Sequence, residues 1–155
     1  MRIERHFTKD HPEYEYELRS TKITKPDGEV VFEMEDYLAP AHWSQGACDI
    51  LASKYFRKSG VPNALRKVYE SDVPSQFQKW EPDTEVPVRI APNGSEDSAQ
   101  QVFDRMAGCW TYWGWKEGYF DSEEDAKIFY DEMFYMLYHQ MAAPNSPQWV
   151  NTGLN

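Results

Sequence analysis

Two segments in the C-terminal half of the chain carry apolar residues at helical spacing, and they constrain the fold more than any other feature. Residues three and four positions apart share one face of an α-helix. The spacing therefore predicts two long amphipathic helices within residues 95–143, each with one face to bury. The first apolar stripe consists of Ala99, Val102, Phe103, Met106, Trp110 and Trp113, and the second of Ala126, Phe129, Tyr130, Met133, Phe134, Met136 and Leu137.

The second helix has start and stop signals. Asp121, followed three residues later by Glu124, has the pattern of a capping box. Acidic side chains in a first turn also stabilise the helix dipole, which explains the cluster of Asp121, Glu123, Glu124 and Asp125 better than a carboxylate site does. We predict a helix over residues 122–141, about 30 Å long, with Pro144 ending the helical pattern.

The first forty residues predict a β-hairpin region. Tyr14, Tyr16 and Leu18 alternate with charged residues, as in a strand with one buried face. Pro26 and Gly28 then supply the restricted and the positive φ angles of a tight turn, and residues 30–34 form the return strand. Because a two-stranded hairpin is marginally stable by itself, it must pack on the rest of the domain.

Residues 41–70 predict a helical region. An apolar stripe recurs at spacings of three and four within residues 43–58, and Gly60 with Pro62 then ends the helix. Residues 63–69 predict a short further helix. The stripe consists of Trp43, Ala47, Ile50, Leu51, Tyr55 and Phe56.

Residues 71–94 predict an irregular connection, because four prolines exclude regular helix over most of its length. A connection of about 20 residues is usually either functional or packed as an arm against a partner. Both interpretations stay open here, and the packed arm is favoured.

Length and composition predict one folded domain over residues 1–155, and the patterns above make it mainly α with a small β-hairpin, of the α+β class. Hydrophobic residues make up 41% of the chain and aromatic residues 15%, too much for a disordered segment. The net charge of −10 repels phosphate backbones, so nucleic-acid binding is not expected. No apolar run is long enough for a membrane span and no signal peptide is recognisable. The two cysteines predict no structural disulfide, which suits the cytoplasm.

Metal and thiol chemistry find little support in the sequence. His6, His11, His42 and His139 lack the spacing of a zinc site, so no metal site is expected. We expect His139 to pack or to interact with the helix end. Cys48 and Cys109 fall in predicted helices and are expected to pack there.

Residues 110–115 contain three tryptophans, which cannot all face one helical stripe. Because each buried aromatic side chain hides about 150–250 Å², this run predicts burial on two sides. One side faces the domain and the other faces something beyond it.

Residues 144–154 combine two prolines, a glycine and short polar side chains after the long helix. Such a loop can present a serine hydroxyl and backbone N–H groups to a phosphate or a sugar. The same pattern also serves simply to end a helix and turn the chain. The residues by themselves leave both interpretations open.

Three stretches together resemble the class II, vitamin B12-dependent ribonucleotide reductases. They are DILASKYFRKSGVP at residues 49–62, AGCWTYWGWK at residues 107–116 and NSPQWVNTGL at residues 145–154. They occur in the family's order, and the last one resembles its substrate-loop motif. The first forty residues resemble the family more loosely.

The resemblance implies a helical N-terminal region that leads, in that family, into a ten-stranded α/β barrel. It implies that Ser146 contacts the ribonucleotide substrate and that Asn145 shapes the loop. In that family of oxidoreductases, which makes deoxyribonucleotides for DNA synthesis, hydrogen replaces the 2′-hydroxyl. Homolysis of adenosylcobalamin generates a cysteine thiyl radical that abstracts the 3′-hydrogen, and a cysteine pair supplies the electrons.

The family's radical and redox cysteines lie downstream of the substrate loop. Neither Cys48 nor Cys109 matches one, so we assign no catalytic residue to this chain, expect no adenosylcobalamin bound to it and predict that it is inactive alone. Its expected partner is the reductase barrel, in the same chain or as a separate one. Two alternatives stay open: a non-catalytic association module, and an independent nucleotide-binding protein with affinity no better than about millimolar.

Overall fold

The computed structural model describes residues 1–154 and has a mixed α+β fold. Its named strands form two antiparallel two-stranded sheets, β1–β2 and β3–β4. The prediction of an α+β fold with a β-hairpin is confirmed, and the second small sheet was not predicted. In chain order, the elements are β1 (Tyr16–Thr24), β2 (Val30–Pro40), α1 (Gln45–Ile50), a π-helical turn (Leu51–Tyr55), β3 (Leu65–Lys67), β4 (Trp80–Pro82), α2 (Ala99–Lys116), α3 (Glu123–Tyr138) and α4 (Ser146–Asn151).

The β1–β2 hairpin closes at the predicted turn, where Gly28 has a φ of +88° and its amide donates to the Lys25 carbonyl over 2.9 Å. The predicted burial of Leu18 is wrong. Leu18 is 64% exposed and lies opposite the exposed Leu38. The half-buried and buried positions change from even to odd numbers between Tyr16 and Arg19, just before the register shift between Arg19 and Thr21, so Leu18 falls outside the core-facing set.

The residues before β1 do not belong to the hairpin. The segment of residues 1–15 runs along α3, and the Ile3 amide donates to Asp125 over 2.7 Å. The Glu15 amide in turn donates to the Tyr138 hydroxyl over 2.9 Å. The N-terminal segment therefore covers α3, and only the later part of the predicted β-hairpin region pairs as strands.

The helix predicted over residues 43–58 is shorter and changes type. It starts at Gln45 with Ser44 as its N-cap, and it becomes π-helical from Leu51 to Tyr55. The core-facing stripe is Cys48, Leu51 and Ala52, whereas the predicted core residue Ile50 is 51% exposed. At about 100° per residue, Ile50 lies on the face of α1 opposite to that of Cys48, Leu51 and Ala52, so it faces away from the core.

Residues 56–94 contain no helix, so the prediction of a short helix over residues 63–69 is wrong. Leu65–Lys67 is instead β3, and it pairs with β4 inside the predicted Pro-rich connection. β-pairing prevails because its partner lies only about 15 residues downstream and the prolines leave that partner extended.

The core lies where β2, α2 and α3 meet. Tyr37, Val102, Phe103 and Met106 are fully buried there, and the Phe103 ring packs edge-on against Phe134 at 5.7 Å. α2 begins at Ala99 with a capping box formed by Ser98 and Gln101. Trp113, assigned to the apolar stripe, is 52% exposed, because the last turns of α2 extend past this core.

α3 differs from its prediction at both ends. Its N-cap is Ser122, whose hydroxyl accepts from the Asp125 amide, so the predicted cap Asp121 is displaced by one residue. The helix ends at Tyr138 and not at Met141, because Gln140 adopts a left-handed φ of +56°. Over residues 1–154, no helix has both the length and the apolar character that crossing a bilayer requires.

Candidate functional site

The predicted substrate-loop residues lie at the start of a short helix and not in an irregular loop. Asn145 is the N-cap of α4, and its side-chain oxygen accepts from the Ser146 amide over 3.2 Å. Ser146 is the first helical residue, and Pro147 occupies the first turn. Both Asn145 and Ser146 are exposed. The prediction of a loop is therefore corrected, because Asn145 and Pro147 are favourable residues for starting a helix.

Tyr55 joins this pair from the other side of the site. Its hydroxyl lies 3.0 Å from the Ser146 hydroxyl, and its ring stacks on the Trp149 ring with centroids 5.3 Å apart. The π-helical turn places Tyr55 here, at its last residue. Helical spacing assigned Tyr55 to the apolar core, so its contact with Ser146 was missed. A π-helical turn has no dependable sequence signal.

One aromatic side chain and one cation hold α4 against the rest of the protein. Trp149 is only 7% exposed and belongs to the main core. Arg105 of α2 donates to the carbonyl oxygens of Trp149 over 3.0 Å and Thr152 over 2.8 Å. These contacts fix the backbone of α4, so the exposed hydroxyl of Ser146 projects from a rigid support.

The two thiols are placed for packing. Cys48 is buried, and burial raises the pKa of its thiol. Burial also raises the pKa of Cys109, although a hydrogen bond from the Gly153 backbone opposes the rise. Thiols with raised pKa values are poor nucleophiles at neutral pH, and this agrees with the expectation that both pack in the fold.

Residues 1–154 contain no group of three or more His, Cys, Asp or Glu side chains arranged to hold a metal ion. His42 and His139 come together, with ring centroids 5.1 Å apart, and His139 also packs on Tyr135. The pKa of His139 is lowered by partial burial and by His42. His139 therefore has the packing role that its position at the helix end predicted.

The aromatic run in α2 packs on the Pro-rich connection of this chain, and Trp113 is 52% exposed. Burial of the run against something beyond the domain stays a prediction. The Trp115 indole donates to the Asp72 carbonyl over 2.6 Å, and the Tyr112 hydroxyl donates to Glu70 over 2.7 Å. Lys116 forms ion pairs with the carboxylates of Glu70 and Asp72. The C-terminal half of α2 therefore holds the start of the Pro-rich connection, which packs as an arm against this chain's own helix.

The arrangement around Ser146 offers hydrogen bonds and no acid–base chemistry. Two hydroxyl groups and one carboxamide converge on the surface, while the nearby Arg105 is already occupied by carbonyl and carboxylate partners. A surface cavity of about 440 Å³ lies elsewhere, between residues 60–64 and 82–93. The site can therefore bind and orient a polar ligand, and the chemistry of a reaction would come from other groups.

Comparison with known proteins gives a consistent result. The sequence profile described as class II vitamin B12-dependent ribonucleotide reductase matches residues 17–140. Vitamin B12-dependent ribonucleotide reductases from Bradyrhizobium diazoefficiens and Agrobacterium fabrum are 54% and 53% identical to the chain over its whole length. A reductase of the same name from Rhodopirellula baltica is 31% identical over 90% of the chain.

The chain spans 13% of the length of the first two relatives and 11% of the third. Asn145 and Ser146 lie beyond the residues that the family profile matches. They lie inside the alignments with the Bradyrhizobium and Agrobacterium proteins, which cover the whole chain.

Proposed function

This chain belongs to the family of class II vitamin B12-dependent ribonucleotide reductases, and we propose that it forms the N-terminal part of an enzyme that reduces ribonucleotides to deoxyribonucleotides for DNA synthesis in the cytoplasm. Within that enzyme, the chain supplies one wall of the substrate site, and its partner is the reductase barrel.

Ser146 is the residue that we assign to the substrate, with Asn145 holding the helix start in shape. The observation that carries this assignment is an exposed hydroxyl on a rigid support. Asn145 caps α4, Trp149 anchors it in the core, and Tyr55 lies 3.0 Å from the Ser146 hydroxyl. A hydroxyl held in this way binds a sugar or phosphate oxygen without first losing conformational freedom.

Adenosylcobalamin supplies the radical chemistry of the complete enzyme, and we place its site outside this segment. The surface cavities of about 440 and 410 Å³ are open hollows of a size that suits a drug-sized ligand, and a corrinoid is larger. The raised pKa values of Cys48 and Cys109 also argue against redox roles for them. The residues of this chain therefore bind and orient, and the reacting thiols belong to the barrel.

The test is Ser146→Ala in the complete reductase. We expect the KM for the ribonucleotide to rise about tenfold, the effect of losing one hydrogen bond to a charged or polar ligand, with little change in kcat. Asn145 keeps the helix cap, so the fold is retained. Ser71→Ala, at another exposed serine, is the matched control. An unchanged KM in Ser146→Ala would remove Ser146 from the substrate site.

A second candidate function is that of a non-catalytic association module packing against a separate barrel subunit. The observation that favours it is the exposed apolar surface of the Pro-rich arm and its neighbours. Leu65, Tyr69, Trp80, Val88 and Ile90 are all at least 49% exposed, and larger apolar patches mark interaction sites.

Two measurements separate these functions. The purified chain, supplied with adenosylcobalamin and a reductant, is expected to form no deoxynucleotide, and detectable product would overturn the assignment of the reacting thiols to the barrel. The association module predicts mass that rises with concentration in sedimentation, and less so in Trp80→Ser with Ile90→Ser. A strictly monomeric chain that binds no apolar dye would contradict it.

A further inference from the structure

We propose that Arg105 and Glu96 form a clamp that positions Ser146 and Tyr55 relative to one another and thereby sets the affinity of the substrate site for the ribonucleotide. The inference rests on the function proposed for Ser146. Neither clamp residue reaches the exposed surface, so both would act as positioning residues.

The first half of the clamp is the contact between Arg105 and the segment that carries Ser146. The guanidinium group donates from Nη1 to the carbonyl oxygens of Trp149 and Thr152. Both carbonyls lie at the C-terminal end of α4, where unsatisfied carbonyl oxygens carry negative partial charge. The planar fork of an arginine can bind two carbonyls while its other donors bind elsewhere, which the point charge of a lysine cannot do.

The second half is a bidentate ion pair inside the protein. Arg105 donates from Nε to Glu96 Oε1 over 2.8 Å and from Nη2 to Glu96 Oε2 over 3.3 Å. The side chains of Glu96 and Arg105 are only 4% and 7% exposed. Water therefore does not compete for these donors, and the geometry of the guanidinium group is fixed on both sides.

Glu96 extends the clamp to the element that carries Tyr55. Its Oε2 accepts from the Arg57 amide over 2.9 Å, and its own amide donates to the Arg57 carbonyl over 2.9 Å. Arg57 lies two residues after Tyr55. One ion pair therefore ties down both backbones whose hydroxyl-bearing side chains meet at the Tyr55–Ser146 contact.

Gly153 shows how closely the two parts of the clamp approach. It has a φ of +73°, and a Cβ atom built there would lie 2.6 Å from both Cγ and the carbonyl oxygen of Arg105. Any other residue would force the end of α4 away from Arg105. The end of α4 and Arg105 are therefore packed closely and have little room to shift relative to one another.

A buried ion pair is a weak source of stability, because apolar side chains of similar volume often serve as well. Its fixed geometry suits the placement of other groups. A binding group must be held within about 0.5 Å of its productive position to contribute fully. The Ser146 hydroxyl contacts the Tyr55 hydroxyl, and the clamp holds the backbones that carry both side chains, so the clamp sets where the two hydroxyls lie.

The test compares Arg105→Lys with Ser146→Ala and with the double variant in the complete reductase. Lysine keeps the charge beside Glu96 but cannot maintain all the carbonyl contacts. We expect Arg105→Lys to lower kcat/KM for the ribonucleotide about tenfold, mainly through KM, the scale of effect that small misplacements produce. Because Arg105 would act through Ser146, the double variant should lose no more than Ser146→Ala alone.

Arg5→Lys is the matched control, since Arg5 also forms a partly buried pair, with Asp131 at 2.7 Å, and its acidic partners lie on α3. Its effect should combine additively with Ser146→Ala. Glu96→Asp is a second variant, which keeps both charges of the ion pair and shortens the carboxylate side chain by one methylene group. The inference would be overturned if the losses in kcat/KM from Arg105→Lys and Ser146→Ala multiplied in the double variant. An unchanged KM in both Arg105→Lys and Glu96→Asp would overturn it as well.

Hydrogen exchange in the 155-residue chain separates failure of the clamp from failure of the proposed function. We expect amides of residues 148–152 to exchange at least about tenfold faster in Arg105→Lys, while those of α3 do not change. Arg5→Lys should leave residues 148–152 unchanged. Faster exchange with no KM effect in Ser146→Ala would reject the substrate role and keep the clamp, whereas unchanged exchange rejects the clamp itself.

Discussion

Glu132 joins the N-terminal segment to α3. Its carboxylate, almost fully buried, accepts hydrogen bonds from the amides of Phe7 and Thr8 and, over 2.6 Å, from the Thr8 hydroxyl. Burial by itself would raise the pKa of Glu132. The hydrogen bonds from Thr8 and from the backbone amides, including that of His6, outweigh this effect, so the pKa is lowered. The ionised form is therefore the one that the fold stabilises.

At the residue scale, we predict that Glu132→Gln lowers the free energy of unfolding by about 1.5–3 kcal/mol at pH 7, the range for hydrogen bonds to a charged group. A folded-state pKa below the unfolded value of about 4.3 stabilises the fold above that pH, and the effect is lost as the pH falls through the folded pKa. Urea unfolding at pH 7, 5 and 3 measures this, and the difference between the two proteins should shrink at pH 3.

The control for this prediction is Glu124→Gln on the same helix. Glu124 is largely exposed and lies 3.6 Å from Arg5, so its removal should cost no more than about 1 kcal/mol. A difference between wild type and Glu132→Gln that stays constant from pH 7 to pH 3 would contradict the assigned role of the carboxylate.

α2 performs two tasks along its length, and its glycines show the difference. Its first half lies in the core, while its second half holds the arm and receives the turn into α3. Gly114 is buried, and a Cβ atom there would lie 2.7 Å from the Phe120 ring. Gly108 has no heavy atom within 4 Å of such a position. The same residue type is thus required in one turn and unnecessary in another.

At the element scale, we predict opposite effects for two alanine substitutions in α2. Gly108→Ala should stabilise the protein by about 0.5–1 kcal/mol, because alanine loses less backbone freedom in a helix. Gly114→Ala should destabilise it by about 1–2 kcal/mol, because overpacking against Phe120 exceeds that gain. Thermal unfolding of both variants is the measurement, and stabilisation by Gly114→Ala would show that the Phe120 ring moves away at little cost.

The whole molecule depends on contacts between distant parts of the chain. The N-terminal segment lies on α3, more than 120 residues away. The Trp43 indole donates to the Tyr138 carbonyl over 2.7 Å, joining the start of the helical region to the end of α3. α4 returns to the π-helical turn through Tyr55 and Ser146. The candidate site is therefore assembled from both halves of the sequence.

At the scale of the whole molecule, we predict that deleting residues 1–8 lowers the free energy of unfolding by about 1.5–3 kcal/mol, because Glu132 exchanges its hydrogen bonds from Phe7 and Thr8 for water. Deleting residues 1–2 removes the exposed pair between the Met1 amine and Asp121 and the hydrogen bond from the Asp121 amide to the Met1 carbonyl, and its effect should be at most about 1 kcal/mol. Urea denaturation of the two shortened chains tests this, and equal losses would show that Glu132 does not depend on the segment.

The sequence by itself determined the elements that rest on local patterns. Helical spacing predicted α2 and α3, and the Pro-Asp-Gly turn predicted the first hairpin, since neighbouring residues decide helix periodicity and turn geometry. Family motifs singled out Asn145 and Ser146, and their role in substrate binding remains a prediction. The predicted N-cap of α3 was one residue too early. The predicted burial of Leu18 and the short helix over residues 63–69 were wrong, because strand pairing prevailed over local preference there.

Only the tertiary structure decided what surrounds Ser146. Tyr55, Arg105 and Glu96 come from three separate segments, and no spacing within the sequence marks them as neighbours. The π-helical turn, the pairing of β3 with β4 and the burial of Glu132 have the same origin. Each depends on contacts that form only when the chain folds. For the buried polar groups the reason is that they are stable only where the fold supplies the opposite charge or a hydrogen bond.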